Sequence, residues 1–246
     1  MNEVLHYFLY FLFAILPSIL WLSFYLRKDQ RPEPKSMVLK VFLFGMIFAF
    51  LALFIEKMLV DFLETKEISE KIVEIVKIFF VVAFVEEFVK FLVVREVVFG
   101  SKELDEPIDC MIYMIIAGLG FAATENLLLL FSLRGEVLEK LFFGKVIQIP
   151  VFIPVSILRF LSATFLHALS SGIVGFFIGL SFFRKKERLK LISFGILIAT
   201  LLHGFYNFFI IEFGKEKVGL VELTFSGFLI LISAYLVSIF FRKIKE

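Results

Sequence analysis

Long apolar windows follow one another along this chain, with only short polar breaks between them. A window of about 20 apolar residues crosses a bilayer as a helix, because lipid offers no partners to backbone N–H and C=O groups. The composition agrees, since 60% of the residues are hydrophobic and the mean hydropathy is +0.96. We therefore predict an all-α fold, a polytopic integral membrane helix bundle with about seven transmembrane helices. The predicted spans are residues 4–26, 37–60, 73–95, 108–131, 154–183, 189–212 and 218–241.

The breaks between the spans determine the expected domain organisation and orientation. None is long enough for a separate domain, so residues 1–246 are predicted to form a single transmembrane helical domain. The longest break, residues 132–150, is predicted to be an interfacial helix or turn that gates or docks at the outer mouth. Lys and Arg concentrate in the breaks after the first, third, fifth and seventh spans. This bias predicts a multi-pass cell-membrane protein with its N-terminus outside and its C-terminus in the cytoplasm.

Charge and cysteine content exclude several classes of function. The formal net charge is only +2, and the basic residues lie in short breaks, so no nucleic-acid partner is expected. Cys110 is the only cysteine, which excludes an intramolecular disulfide and a cysteine-based metal site. The expected surroundings of the chain are the lipid bilayer.

Four of the predicted spans carry charged or strongly polar side chains at membrane depth. A charge at the centre of a spanning helix costs about 2.5–3.5 kcal/mol on insertion scales, so such residues need a compensating role. All of these residues fall between the middle and the outer half of the bilayer, and we therefore predict one polar site. The residues are Glu86, Glu87 and Lys90 on the third span, Glu125 and Asn126 on the fourth, His167 and Ser171 on the fifth, and His203 and Asn207 on the sixth.

Helical spacing adds detail to this site. Residues four apart share a helix face, so Lys90 is expected beside Glu86, and Asn207 beside His203. Lys90 can neutralise only one of the two neighbouring glutamates, which leaves the other able to exchange a proton. A plainer interpretation of each feature is also open: a structural Glu–Lys bridge, hydrogen-bonded core histidines, and amides that join helices. Arg159 is expected to reach the interface or to pair locally.

The residue types at depth favour one kind of peptide hydrolysis over others. The aspartates lie in loops or at a span end, and the chain contains neither an HExxH nor a G-x-S-G sequence. A glutamate can instead take a proton from a water that attacks a peptide carbonyl, while His and Asn side chains stabilise the oxyanion. This chemistry needs no metal. Zinc stays open, because Glu86, Glu125, His167 and His203 are all acceptable zinc ligands.

The polar stretches resemble the motifs of the PrsW family of intramembrane proteases. "EEFVK" (86–90) resembles the EExxK motif, "FAATEN" (121–126) the FxxxEN motif, and "HGFYN" (203–207) the HxxxN motif. "HALSSG" (167–172) and "RPEP" (31–34) are also similar to that family's pattern, so the resemblance extends over most of the chain. The family is related to the CAAX prenyl proteases and to bacteriocin-processing and immunity proteins.

The resemblance implies roles for single residues. Glu86 and Glu87 would be the catalytic carboxylates, with His203 the first histidine partner, His167 the second and Asn207 the oxyanion donor. Lys90, Glu125 and Asn126 would line the site. Glu125 stands where the CAAX prenyl proteases have a histidine, so no proton is assigned to it. No metal ligand and no cofactor is expected on this pattern, with zinc left open.

The resemblance also implies a substrate, a single-span membrane protein of the anti-sigma-factor type, cut at or near the extracytoplasmic side. The first alternative is a non-catalytic membrane scaffold or a bacteriocin-immunity-like protein of the same superfamily. The second is a proton-coupled transporter that uses the same carboxylates. Transporters usually contain sequence repeats or broken helices, and the sequence indicates neither.

Overall fold

Helices make up the bundle that positions the site. The structure, a computed structural model, describes residues 3–132, 152–214 and 220–244, and no strand occurs within them. The prediction of an all-α fold is therefore confirmed. The helices are α1 (Glu3–Leu26), α2 (Lys35–Glu64), α3 (Glu70–Val76), a π-helical segment (Lys77–Ala83), α4 (Phe84–Val97), α5 (Pro107–Ser132), α6 (Phe152–Leu161), α7 (Ala163–Phe183), a 3₁₀ turn (Lys185–Glu187), α8 (Arg188–Gly214) and α9 (Leu220–Lys243).

Six helical stretches in the described residues are long and apolar enough to cross a membrane, close to the seven predicted. They are Tyr7–Leu26, Lys35–Glu64, Pro107–Ser132, Val155–Phe183, Lys185–Ile211 and Thr224–Lys243. The predicted span 73–95 lies in the helical stretch from Glu70 to Val97, which consists of three consecutive segments. The last segment, α4, carries Glu86, Glu87 and Lys90. The gate or docking element predicted at 132–150 falls, apart from Ser132, outside the described residues.

Two of these stretches form the inside of the bundle. The most apolar windows of α5 and of Val155–Phe183 are 72% and 78% buried, whereas the other four are 28–39% buried. Glycine lets α5 approach its neighbours closely. A side chain at Gly118 would meet the His167 carbonyl oxygen and Ser171 Oγ of α7, and one at Gly120 would meet the Phe42 carbonyl oxygen of α2. The close contact at Gly118 brings α5 and α7 together beside the site.

Two interruptions of regular α-helix lie next to the polar residues. The π-helical segment ends at Ala83, just before Glu86. Ser162, with φ −124° and ψ −93°, separates α6 from α7 within the predicted span 154–183. The expectation of unbroken helices was therefore wrong. Hydropathy did not reveal the break because α6 and α7 are both apolar, and only the backbone direction changes between them.

Candidate functional site

α4 carries two glutamates and a lysine into the interior of the bundle. Glu87 and Lys90 are fully buried and Glu86 is 5% exposed. Lys90 Nζ lies 2.8 Å from Glu87 Oε1 and 3.4 Å from Glu86 Oε2, and it stands over the Phe121 ring. Lys90 therefore contacts both glutamates, although its single charge offsets only one of them.

Each buried histidine of the site has a carboxylate on one ring nitrogen. His203 of α8 places Nδ1 2.9 Å from Glu87 Oε1, and His167 of α7 places Nε2 2.8 Å from Glu125 Oε2. The two rings are 5.2 Å apart and nearly perpendicular. Because a carboxylate accepts hydrogen bonds, we assign the ring hydrogens to these two nitrogens. Both imidazoles are thereby fixed in orientation and tautomer.

The remaining ring nitrogens face Glu86. His203 Nε2 is 3.8 Å and His167 Nδ1 is 3.9 Å from Glu86 Oε2, distances too long for hydrogen bonds. His167 Nδ1 is buried and has no hydrogen-bond partner among the described residues. One ligand atom from each of Glu86, His167 and His203 lies within 4.8 Å of the others, so the three could hold a metal ion. Three acceptor atoms thus converge, and Lys90 Nζ donates to one of them, Glu86 Oε2, at 3.4 Å.

This donor set matches protein zinc sites. Zinc is bound by imidazole nitrogen and carboxylate oxygen, and catalytic sites typically use three protein ligands. Ligating histidines usually donate the second ring N–H to a carboxylate, which is the arrangement of His203 with Glu87 and of His167 with Glu125. The structure thus fits the zinc alternative that the sequence left open.

Arg159 pairs locally, which is the second of the two expectations for it, and its partners are residues of the same site. Its Nη2 donates to Glu125 Oε2 at 3.1 Å, and its Nε donates to Asn126 Oδ1. Asn126 in turn donates to the Ala14 carbonyl oxygen and to Thr164 Oγ1, both at 3.1 Å. Sequence reasoning missed this role because the position of α6 depends on the break at Ser162.

Two further residues of the site were missed. Ser170 donates from Oγ to Glu87 Oε1 at 3.0 Å. Glu56 of α2 is half-buried, its Oε1 is buried without a hydrogen-bond partner among the described residues, and its charge interacts with those of Glu86, Glu125 and Lys90. The signal for Glu56 was present, since it is a charged residue inside the predicted span 37–60.

The charges of the described site residues do not cancel when both histidines are neutral and all four carboxylates are ionised. Its carboxylates are Glu56, Glu86, Glu87 and Glu125, whereas its cations are Lys90 and Arg159. The four negative and two positive charges leave a formal excess of two negative charges. Uncompensated charge is costly at membrane depth, and a divalent cation would offset this excess.

Asn207 and Ser171 are less closely connected. Asn207 is half-buried one turn after His203, and no hydrogen bond among the described residues joins it to the carboxylates or histidines. Ser171 Oγ is buried against the Gly118 position and also has no hydrogen-bond partner in the described part of the chain. The oxyanion role of Asn207 stays a prediction, as do the catalytic roles of the other residues.

On α5 and α7 the site residues lie toward one end of the helix. Glu125 is seven residues, roughly 10 Å, before the end of α5 at Ser132, and His167 is four residues, roughly 6 Å, after the start of α7. The loops 27–34 and 98–106 belong to the opposite end, where α1 and α4 end and α2 and α5 begin.

Comparison with known proteins matches most of the chain. Residues 33–239 match the model of a family described as "PrsW family intramembrane metalloprotease". A Protease PrsW of Geobacillus kaustophilus is 33% identical over 84% of this chain and 80% of its own length. The proteins of that name from Bacillus subtilis and Clostridioides difficile are 31% and 30% identical, over 79% and 80% of this chain and 79% and 77% of their own lengths. No solved structure matches the chain significantly.

Proposed function

This chain belongs to the PrsW family of intramembrane proteases, and we propose that it is a metal-dependent endopeptidase whose ion is held by Glu86, His167 and His203. The observation that carries the proposal is the convergence of Glu86 with one ring nitrogen each of His167 and His203. The second ring nitrogen of each histidine is hydrogen-bonded to a carboxylate. A bound divalent ion supplies a more acidic water and polarises the peptide carbonyl.

The other residues orient the ligands and carry the proton. Glu87 holds His203 through Oε1, which also accepts hydrogen bonds from Lys90 and Ser170. Glu87 Oε2 is buried without a hydrogen-bond partner in the described residues, and we assign to it the proton taken from water and returned to the leaving amine. Glu125 holds His167. Asn207 remains available to donate to the carbonyl oxygen.

A single-span membrane protein is the substrate that this site supports best. A helix hides its carbonyl groups in its own hydrogen bonds, so a cleaved bond must lie in an extended segment, most simply just outside the membrane. The excess of basic residues on the opposite loops supports an outside N-terminus and a cytoplasmic C-terminus, with the site in the extracytoplasmic half. We propose an anti-sigma-factor-like membrane protein as the natural substrate class.

Metal dependence separates this proposal from glutamate catalysis without metal. The purified full-length protein would be tested on single-span fluorescent reporters before and after chelator treatment, and its metal content measured by mass spectrometry. We expect cleavage to be lost as the metal is removed and to return with zinc. Full cleavage by protein that holds far less than one metal ion per chain would refute the metal and leave Glu86 and Glu87 as the water-activating pair.

A second arm tests catalysis itself. Folded wild-type protein, loaded with metal, must cut at least one reporter, and Glu86→Gln must cut none. The matched control is Glu96→Gln, an exposed glutamate of the same helix. Folded, metal-loaded protein that binds a reporter without cutting any would instead favour the scaffold interpretation.

A further inference from the structure

Three acidic side chains meet at the other end of the bundle, away from the site described above. Asp29 and Glu33 lie in the loop between α1 and α2, and Asp109 lies in the first turn of α5. Asp29 is 8% exposed, Asp109 is 2% exposed and Glu33 is half-buried. One carboxylate oxygen from each lies within 4.8 Å of the other two. Negative charge is thus concentrated between the first loop and the start of the most buried region of the bundle.

One of these carboxylates has an oxygen without a hydrogen-bond partner among the described residues. Asp29 Oδ1 accepts a hydrogen bond from the Arg31 backbone N–H at 2.9 Å. Its second oxygen, Oδ2, is buried and has no hydrogen-bond partner among the described residues. A buried carboxylate oxygen without a partner costs free energy, so this atom indicates a missing ligand.

The other two carboxylates have hydrogen-bond partners, including each other. Glu33 Oε2 accepts a hydrogen bond from the Tyr113 hydroxyl. Asp109 Oδ2 accepts hydrogen bonds from the backbone N–H groups of Asp105 and Glu106, at 3.0 and 2.7 Å. These donors hold the carboxylates in place but carry no positive charge.

No lysine or arginine forms an ion pair with the three carboxylates in the described residues. The nearby Arg31 guanidinium pairs instead with Glu106, at 2.7 Å. The crowding is reflected in Glu33, because burial, together with the negative charges of Asp109 and Asp29, raises its pKa to about 8 against the opposing hydrogen bond from Tyr113. With all three carboxylates ionised, the cluster therefore carries more negative charge than the described side chains around it balance.

We propose that Asp29, Glu33 and Asp109 form a second cation site, which takes a hard divalent ion, Ca²⁺ or Mg²⁺. Both ions prefer oxygen ligands, and this cluster offers carboxylate oxygens only, unlike the histidine-containing site. Opposite ligands of Ca²⁺ lie about 4.6–5.2 Å apart, so three oxygens within 4.8 Å of one another can share that ion. Opposite ligands of Mg²⁺ lie only about 4.0–4.2 Å apart, so Mg²⁺ would have to draw the carboxylates closer together.

The bound ion would fasten the loop between α1 and α2 to the start of α5. Asp109 is sixteen residues, roughly 24 Å, from Glu125 along α5. At that distance the ion cannot touch the catalytic groups. Its role is to stabilise the packing of the first loop against the inner helix, and this role does not depend on the proposed protease mechanism.

Binding is the direct test. Metal-free full-length protein in detergent would be titrated with Ca²⁺ and, separately, with Mg²⁺, by calorimetry and by the shift of the thermal midpoint. The His203→Ala variant would be used throughout, so that the proposed zinc ligands no longer form a complete set. We expect one saturable site for at least one of the two ions, and a thermal midpoint that rises as it fills.

Substitutions then test which side chains bind the ion. Asp29→Asn and Glu33→Gln are each expected to weaken binding at least tenfold, whereas Glu187→Gln, an exposed acid of the 3₁₀ turn between α7 and α8, should leave it within twofold. If the buried Asp29 variant does not fold, the half-buried Glu33 variant decides. Absence of saturable binding up to about 10 mM of either ion, beyond the range of weak natural calcium sites, would overturn the proposal. Equal weakening by Glu187→Gln would overturn it as well.

Discussion

Two buried clusters of acidic side chains in the described residues differ in how their carboxylates are paired with cations. In the membrane-depth site, Glu87 contacts Lys90 and His203, and Glu125 contacts Arg159 and His167. In the cluster at the first loop, formed by Asp29, Glu33 and Asp109, no described cationic side chain forms an ion pair with a carboxylate.

The difference follows from the surroundings. At membrane depth an unpaired charge is expensive, so mixed signs and fixed hydrogen bonds are required. Near the bundle end, water and protons are accessible, and the half-buried Glu33 can hold a proton when no cation is present. Removal of one charged side chain should therefore change activity or stability strongly in the membrane-depth site and only weakly in the first-loop cluster.

The largest effect is expected where the proposed ligands are removed. Glu86→Gln and His203→Ala should each lower reporter cleavage by about 10³-fold or more, because each removes one of three converging donors. The measurement is initial cleavage rate in detergent at equal amounts of folded protein. Glu96→Gln, on the exposed end of α4, should stay within about twofold. More than a tenth of wild-type activity in either ligand variant would contradict the assignment.

The next largest effect concerns stability. Lys90→Met would leave Glu86 and Glu87 buried without their shared cation, which should cost about 3–5 kcal/mol and lower the thermal midpoint. Adding Glu87→Gln should recover part of the loss, because it removes one of the two uncompensated charges. An unchanged midpoint in Lys90→Met would show that the membrane-depth site tolerates unpaired charge, and the contrast with the first-loop cluster would fail.

A smaller effect is expected from a carboxylate that orients a ligand. Glu125→Gln keeps the shape of the side chain but weakens its hold on His167 Nε2 and on Arg159. Loss of such an orienting group typically costs 10–100-fold in metal affinity or activity. The check is to titrate zinc into metal-free protein and to compare cleavage at saturating zinc. A loss as large as that of Glu86→Gln would show that Glu125 is itself a ligand or the proton carrier.

Hydropathy was sufficient to place most of the helices, because a chain segment in the bilayer must satisfy its own backbone hydrogen bonds and so forms a helix. Apolar windows predicted 4–26 and 108–131, and the helices run from Glu3 to Leu26 and from Pro107 to Ser132. The polar residues inside those windows were equally visible, since charge at depth is rare. Glu86, His167 and His203, on three separate helices, do lie together.

Other parts of the site depend on how the helices are turned toward one another, which hydropathy does not encode. The partners of the two histidines follow from the relative rotation of α4, α5, α7 and α8. Arg159 enters the site only because the chain breaks at Ser162. Glu56 was visible as a charge within an apolar span, but its orientation toward the site required the packing of α2.

The smallest expected effect has the opposite sign and lies in the first-loop cluster. In the absence of divalent ions, Glu33 has a pKa raised to about 8 by burial and by Asp109 and Asp29, with Tyr113 opposing. A raised carboxyl pKa means that the folded state binds the proton more tightly than the unfolded state, where the pKa is about 4.3. Wild-type stability should therefore fall as the pH rises from about 4.3 to about 8, and level off above it.

Glu33→Gln cannot ionise, so its stability should lack this component of the decline, and it should gain on wild type steadily as the pH rises toward 8. The check is the thermal midpoint of both proteins across pH 5 to 9 in chelator, with the exposed Glu187→Gln as the control that keeps the wild-type slope. A destabilised Glu33→Gln with an unchanged slope would mean that the glutamate is ionised and paired, and that the two groups of acids handle charge in the same way.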